Sequence, residues 1–405
     1  MRSSSSTVIR RITTVQPEYR PSVIWVLVET EGGLTGLGET YWIADPVAAY
    51  IHEIAAPYLL GKDALDIQRH WTALYRYWGD LGLGAEARGV SAIDIALWDI
   101  LGKVADLPIY QLLGGASRRS IRVYNTCGGP EYVQSRLEPG NDLYGAFVDG
   151  RQFEDLWAFR NAPEELAASL LEMGISAMKM WPFEDAADKT GGRYITAEDL
   201  RRSLEPLARI RKAVGDRMEV ALELRRRWSL PAARAIAAAA EEYRPLWIED
   251  AMRHDSFDAL GELSRSTTVP MVAGENLGAR FDFRSLIERG GVSIVMVDPA
   301  WVGGITEARR VADAAALYQR PFTTHDCTGP VNMAVGVHLC VNAENAYLQE
   351  IVRAFHFGWY RENVTGLPDL NAGEMAPADR PGHGVELMPD VLERPGVRIR
   401  VSERH

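Results

Sequence analysis

Eight short apolar runs, each reaching a polar residue near its end and several of them evenly spaced, constrain the fold of this chain more than any other feature. "VALEL" reaches Glu223, "PLWIED" reaches Glu249 and "MVAGEN" reaches Glu275, with 26 residues between successive acids. "IVMVDP" then reaches Asp298 after 23 residues, "PFTTHD" reaches His325 after 27, and "AYLQE" reaches Glu350 after 25. Upstream, "AMKMW" carries Lys179, 44 residues before Glu223, and "RVYNT" carries Asn125. Helical patterns fill the intervals, among them 232–242, 257–264 and 305–316. Strand and helix alternating at this interval predict parallel β/α units, and eight of them predict a closed β/α barrel.

In such a barrel all strands point the same way, and chemistry sits where their C-terminal ends converge. Glu223, Glu249 and Glu275 would then come from three neighbouring strands and aim at one point. Three carboxylates so close repel strongly in a poorly solvated pocket. A divalent cation relieves that repulsion. Hard oxygen donors without cysteine suit Mg²⁺, which keeps positions open for water or substrate.

The chain has 405 residues, more than the roughly 250 of a minimal barrel, so a second domain is expected. "SVIWVLVETEGGLTGLGET" reads as two strands joined at Glu31-Gly32-Gly33. "GVSAIDIALWDILGKVADL" reads as a helix with a broad apolar stripe. The expected organisation is an α+β domain over 1–120, the barrel over 121–370, and a segment 371–405 that returns to the first domain. A net charge of −11 disfavours a nucleic-acid partner. No run approaches the roughly 18 apolar residues of a membrane span. "MRSSSSTVIRRITT" lacks the apolar centre of a secretory signal. Three cysteines, Cys127, Cys327 and Cys340, are odd in number and without metal-ligand spacing. They fit a reducing cytoplasm.

The motifs "VLVETEGGLTGLGE", "SAIDIALWDILGKVADLPIYQLLGG", "WIED", "GEN", "VDPAWVGGITEARRVADAA" and "PGHGVEL" span almost the whole chain. Together they resemble the enolase superfamily in its mandelate racemase-like branch, and its acid-sugar dehydratases in particular. The resemblance implies an N-terminal α+β capping domain, completed by the C-terminal tail, over a modified (β/α)7β barrel. It implies Mg²⁺ on Glu223, Glu249 and Glu275, the set the spacing reaches independently. The chemistry implied is removal of the proton α to a carboxylate, with Mg²⁺ stabilising the enediolate. His325 would be the base and Asp298 its dyad partner. Glu350 would hydrogen-bond a substrate carboxylate oxygen, and Lys179 would contact that carboxylate. Tyr41 and Trp42, in "ETYWIAD", stand where the family's substrate-facing loop lies. Asn276, beside Glu275, is a further expected substrate contact.

Two departures bear on the reaction. Trp181 stands where the family's second lysine base would be, and an indole cannot take a proton. Arg225 stands where many of these dehydratases have an acidic histidine, and a guanidinium is a poor proton donor. Arg225 and Trp181 are therefore expected to bind substrate, and His325 is left to act as both base and acid. The expected function is Mg²⁺-dependent dehydration of a sugar acid to a 2-keto-3-deoxy acid. The alternatives are a single-base epimerase or lactone cycloisomerase using the same enediolate, or a catalytically silent metal-binding relative. The loop 127–162, holding Tyr132, Tyr144, Phe147, Phe153 and Trp157, is long enough to lid the site or to build a subunit contact. The expected partner is a small-molecule sugar acid, bound by a homo-oligomer of two to eight subunits.

Overall fold

The computed structural model describes residues 6–79, 84–133 and 152–404, with side chains described only to Tyr75 in the helix Ile67–Gly79. The N-terminal part is a meander of three antiparallel strands, β1 (Ile9–Pro17), β2 (Val23–Thr30) and β3 (Thr35–Tyr41). Gly33, at φ 83, closes the turn between β2 and β3, a conformation glycine adopts without steric cost. The C-terminal strand Val397–Glu403 pairs antiparallel with the open edge of β1. The predicted helix forms as Ala85–Ala105 and lies directly on β3. The glycines of "TGLGE" allow this approach: a Cβ on Gly38 would stand 1.8 Å from the Ala92 carbonyl oxygen, and one on Gly36 2.1 Å from that of Ala96.

The barrel runs through β4 (Ile121–Thr126), β5 (Ala177–Met180), β6 (Glu219–Glu223), β7 (Ile248–Glu249), β8 (Met271–Ala273), β9 (Ile294–Val297), β10 (Phe322–Thr324) and β11 (Ala346–Ile351). Every neighbouring pair is parallel, and β11 closes on β4. Helices follow the first seven of these strands. The helices after β11 are only the short Arg353–His356 and Trp359–Asn363, and the chain then runs out through the C-terminal segment. The lumen is filled by Tyr124, Ala177, Ala221, Trp247, Val272, Ile294, Met296 and Leu348. Outward-facing Met178, Leu222, Ile248, Met271 and Val295 join the larger core under the helices. This is the period-two alternation of a strand. Among the described residues no helix is long and apolar enough to cross a membrane.

The cap is bonded onto the end of the barrel where the strands' C-termini converge. Thr40 Oγ1 donates to Ala300 O at 2.7 Å, and Trp71 Nε1 to Gly303 O at 2.9 Å. Glu39 Oε1 accepts the backbone N–H groups of Val331 (3.0 Å) and Asn332 (2.9 Å), at the start of the helix Pro330–Asn342. A carboxylate there complements the helix dipole. His383, in "PGHGVEL", bonds the β3 carbonyl of Leu37 through Nε2 at 2.8 Å.

Candidate active site

The strand period explains why the polar residues at the strand ends converge. Lys179, Glu223, Glu249, Asp298 and Glu350 each follow a lumen residue by two positions, after Ala177, Ala221, Trp247, Met296 and Leu348. His325 follows buried Thr323 in the same way. Glu275 is three positions past Val272. The intervening Gly274, at φ 131, turns the chain so that Glu275 comes back to the axis. A Cβ on Gly274 would stand 2.4 Å from Met296 O. Above these ends lies a cavity of about 400 Å³ lined by Lys179, Glu223, Arg225, Arg226, Glu275, Asn276, Trp301, His325 and, from the cap, Trp42 and Arg88.

His325 Nδ1 lies 2.7 Å from Asp298 Oδ2. The other Asp298 oxygen accepts the N–H of Ala300 at 2.8 Å. Asn332 ties the two supporting loops together. Its Oδ1 accepts Ala300 N at 3.0 Å, and its Nδ2 donates to His325 O at 3.1 Å and to Thr328 Oγ1 at 2.7 Å. With Nδ1 committed to Asp298, Nε2 is the atom left for chemistry, and it stands 3.2 Å from Glu275 Oε2. Burial pulls the His325 imidazolium down, but Glu275, Glu350 and Asp298 outweigh it and hold the ring well above its ordinary pKa. Burial pushes Glu275 up. The cations of His325, Arg226 and Lys179 outweigh that and leave it below the ordinary carboxylate range.

Lys179, 1% exposed, is held among three acids. Its Nζ bonds Glu249 Oε1, reaches Glu350 Oε1 at 2.9 Å and Glu223 Oε2 at 3.5 Å. Glu350 also accepts from Thr126 Oγ1 and from the backbone N–H of Asp326 at 3.0 Å. Nearby Arg353 pairs instead with Asp155, through contacts of 2.7 and 2.8 Å. Burial pushes Glu249 up to about 8 against the pull of Lys179. It pushes Glu223 well above its usual range.

The structure adds one acid to the predicted three. Ligand atoms of Glu223, Asp250 and Glu275 all lie within 4.8 Å of one another. Asp250, at φ 45, swings into this group and pairs with Arg226, which also reaches Glu275 at 3.2 Å. Glu249 is beside them, with one oxygen on Lys179 and the other accepting Trp247 Nε1 at 2.9 Å. The clustered donors are hard carboxylate oxygens at the floor of a cavity, a set that fits Mg²⁺.

Of the expected substrate contacts, Trp42, Arg225 and Asn276 line the cavity. Asn276 also donates to Glu275 Oε1 at 2.7 Å. Trp181 does not line it. Fully buried, it stacks behind Tyr132 with ring centroids 5.0 Å apart. Tyr132 forms the cavity wall in its place. Tyr41 is also withdrawn: its ring is cap core and its hydroxyl bonds Val133 O. Within the 127–162 loop, Tyr144 and Phe147 lie outside the described residues. Arg88, Asp250, Arg226 and Trp301 were not singled out from the sequence. Arg226 and Asp250 adjoin residues that were, in "LELRRRW" and "WIED". Arg88 lies on a helix whose pattern reads only as cap.

Comparison with known proteins agrees with this architecture. Residues 7–114 match the family of mandelate racemase / muconate lactonizing enzyme N-terminal domains, and residues 162–391 match the enolase C-terminal domain-like family. A mandelate racemase-subgroup enolase from Agrobacterium tumefaciens is 42% identical over 98% of this chain and 99% of its own, with a TM-score of 0.86. An enolase protein from the Sargasso Sea environmental genome is 37% identical over the same shares, with a TM-score of 0.87. A protein from Salmonella enterica serovar Typhimurium with a provisional dehydratase assignment is 27% identical over 97% of this chain and 99% of its own, with a TM-score of 0.84.

Proposed function

On the premise that the chain belongs to the enolase superfamily, in its mandelate racemase-like branch, we propose that it is a Mg²⁺-dependent lyase that dehydrates a sugar acid to a 2-keto-3-deoxy acid. The observation that carries this reading is the His325–Asp298 pair at 2.7 Å, opening onto the same cavity as Glu223 and Glu275. Glu223, Glu249 and Glu275 would hold a divalent cation, which would supply Lewis-acid stabilisation of the enediolate oxygens. His325 Nε2 takes the C2 proton while Asp298 holds Nδ1–H and stabilises the imidazolium. The ring acts as a base once the charge of Glu275, now drawn to it, is engaged elsewhere. Lys179 and Glu350 hold the substrate carboxylate. The C3–O bond then breaks, the imidazolium proton leaves with the hydroxyl as water, and the enol becomes the ketone.

One acid/base group on one face favours elimination over racemisation. The position of a second base is filled by Tyr132 stacked on Trp181. Burial holds the Tyr132 phenol well above its ordinary pKa. The same reading takes the chain as a cytoplasmic homo-oligomer, in keeping with three buried free thiols. A sugar-acid library screened with semicarbazide for keto-acid formation tests the lyase. C2 proton exchange without keto acid would instead support epimerisation, and product NMR identifies a cycloisomerase.

A further inference from the structure

The cavity has four cationic side chains besides His325, and three of them are tied to carboxylates. Lys179 sits among Glu223, Glu249 and Glu350. Arg226 pairs with Asp250 and Glu275, and Arg225 stands 3.6 Å from Glu184. The fourth, Arg88, differs. Among the described residues no carboxylate lies within ion-pairing distance of it. Its Nη1 donates to Tyr41 O at 2.8 Å, and its guanidinium lies over the Trp301 ring, 4.3 Å from the centroid. At Arg226 the carboxylates outweigh burial and push it up, whereas at Arg88 burial outweighs the pull of Asp298 and Glu275 and brings it down to about 10. Trp301 is 6% exposed, and among the described residues its indole N–H has no acceptor. Its ring is 5.1 Å from that of His325.

A partly buried guanidinium with no carboxylate within ion-pairing distance has only the longer-range pull of Asp298 and Glu275, and in a chain of net charge −11 closer acids are not scarce. Its planar fork still has donors to offer, and carboxylate and phosphate are the groups that match them. We infer that Arg88, with the indole N–H of Trp301, receives a second anionic terminus of the substrate, so that the substrate is a diacid sugar or a terminally phosphorylated sugar acid rather than a simple monoacid. This rests on the sugar-acid reading of the same site. The first carboxylate goes to Lys179 and Glu350 at the barrel floor, and the second terminus goes to the cap. The Trp301 ring contacts both His325 and Arg88, so the second terminus lies near the base, as the far end of a short sugar chain would.

The test is calorimetric binding of hexarates, the matching hexonates and 6-phosphohexonates to the Mg²⁺-loaded protein, in wild type, Arg88→Gln and Arg88→Lys. Keto-acid formation is measured in parallel. A hexarate or phosphohexonate should bind more tightly than its hexonate. Arg88→Gln should weaken it about 10- to 100-fold, Arg88→Lys should weaken it less, and the hexonate should be little changed. Preference between carboxylate and phosphate then names the source of the anion. Equal binding of mono- and dianionic acids, with the same effect of Arg88→Gln on both, overturns the assignment. Arg88-dependent binding without keto acid leaves the second terminus standing and removes the lyase. Dehydration of hexonates as fast as hexarates, indifferent to Arg88, does the reverse. Arg88→Lys keeps the comparison open if the glutamine variant folds poorly.

Discussion

Replacing Lys179 by methionine tests the electrostatics of the barrel floor directly. Its ammonium is the cation within bonding distance of Glu249 and Glu350, both 0% exposed, and it reaches Glu223 at 3.5 Å. Removing it leaves acids buried without their countercharge, which costs about 3–5 kcal/mol when one partner of a buried pair is deleted. The lower end is expected, because Glu249 keeps the Trp247 N–H and Glu350 keeps Thr126 and the Asp326 N–H. Unfolding entropy near 60 °C is about 2.1 cal/mol/K per residue, so a chain of this length has about 0.85 kcal/mol/K. Lys179→Met should therefore melt about 4 °C below wild type in EDTA. The ammonium also competes for the carboxylates that would hold Mg²⁺. The variant should then bind Mg²⁺ more tightly and gain more in melting temperature from it than wild type does. Calorimetric melting of both proteins, with EDTA and with a Mg²⁺ series, measures this. Equal melting in EDTA, or an equal gain from Mg²⁺, would refute the argument.

Glu249→Gln should weaken Mg²⁺ binding in isothermal titration more than Asp250→Asn does, because Glu249, like Glu223, stands two positions past a lumen residue at its strand end and Asp250 does not. The opposite order would assign the third ligand to Asp250. His325→Asn should still bind a substrate but lose exchange of its C2 proton with D₂O, and wild type should show no racemisation at C2 by chiral analysis. Continued exchange in the variant at the wild-type rate would reveal another base. Burial holds His338 at about 3 and His356 at about 4, below the 6.5 of an unfolded histidine. The stability these neutral rings contribute is present above pH 6.5 and is lost as pH falls from there through 4 and 3. Each contributes a slope of about 1.4 kcal/mol per pH unit. His338→Gln should remove about 3 °C of the melting-temperature loss between pH 6.5 and 4.5, and an unchanged pH profile would show that His338 is not held neutral.

The barrel was legible because its strands obey one rule. A lumen residue followed two positions later by a polar residue occurs at Ala177/Lys179, Ala221/Glu223, Trp247/Glu249, Met296/Asp298 and Leu348/Glu350. From Glu223 to Glu350 the strand-end residues recur every 23 to 27 residues, the length of one β/α unit. What the pattern could not show lies where the backbone leaves it. Gly274 at φ 131 and Asp250 at φ 45 both re-aim a carboxylate. The first leaves the Glu275 prediction intact, and the second introduces an acid that strand alternation points away from the axis. The family resemblance put Trp181, two positions beyond Lys179, towards the substrate. Tyr132, from a loop remote in sequence, closed over it. Periodicity along one strand carries no information about what another segment lays on top.

The cap contributes to the dyad as well as to the roof of the cavity. Glu39 holds the N–H groups that open the helix Pro330–Asn342, and that helix presents Asn332. Asn332 in turn bonds the loop after Asp298 and the loop at His325. Thr40 holds Ala300 from the other side. Two adjacent residues of one cap strand thus fix the two barrel loops whose relative position sets the His325–Asp298 contact. A local cap displacement that shifts Arg88 therefore need not leave the dyad undisturbed, because β3 and the Arg88 helix pack through the glycine contacts at Gly36 and Gly38. The cavity roof and the His325–Asp298 pair are mechanically joined through Glu39, Thr40 and Asn332. A bulky substitution at Gly38, which would meet the Ala92 carbonyl, is then expected to lower kcat as well as raise KM. A change in KM alone would show that the cap acts only as a lid.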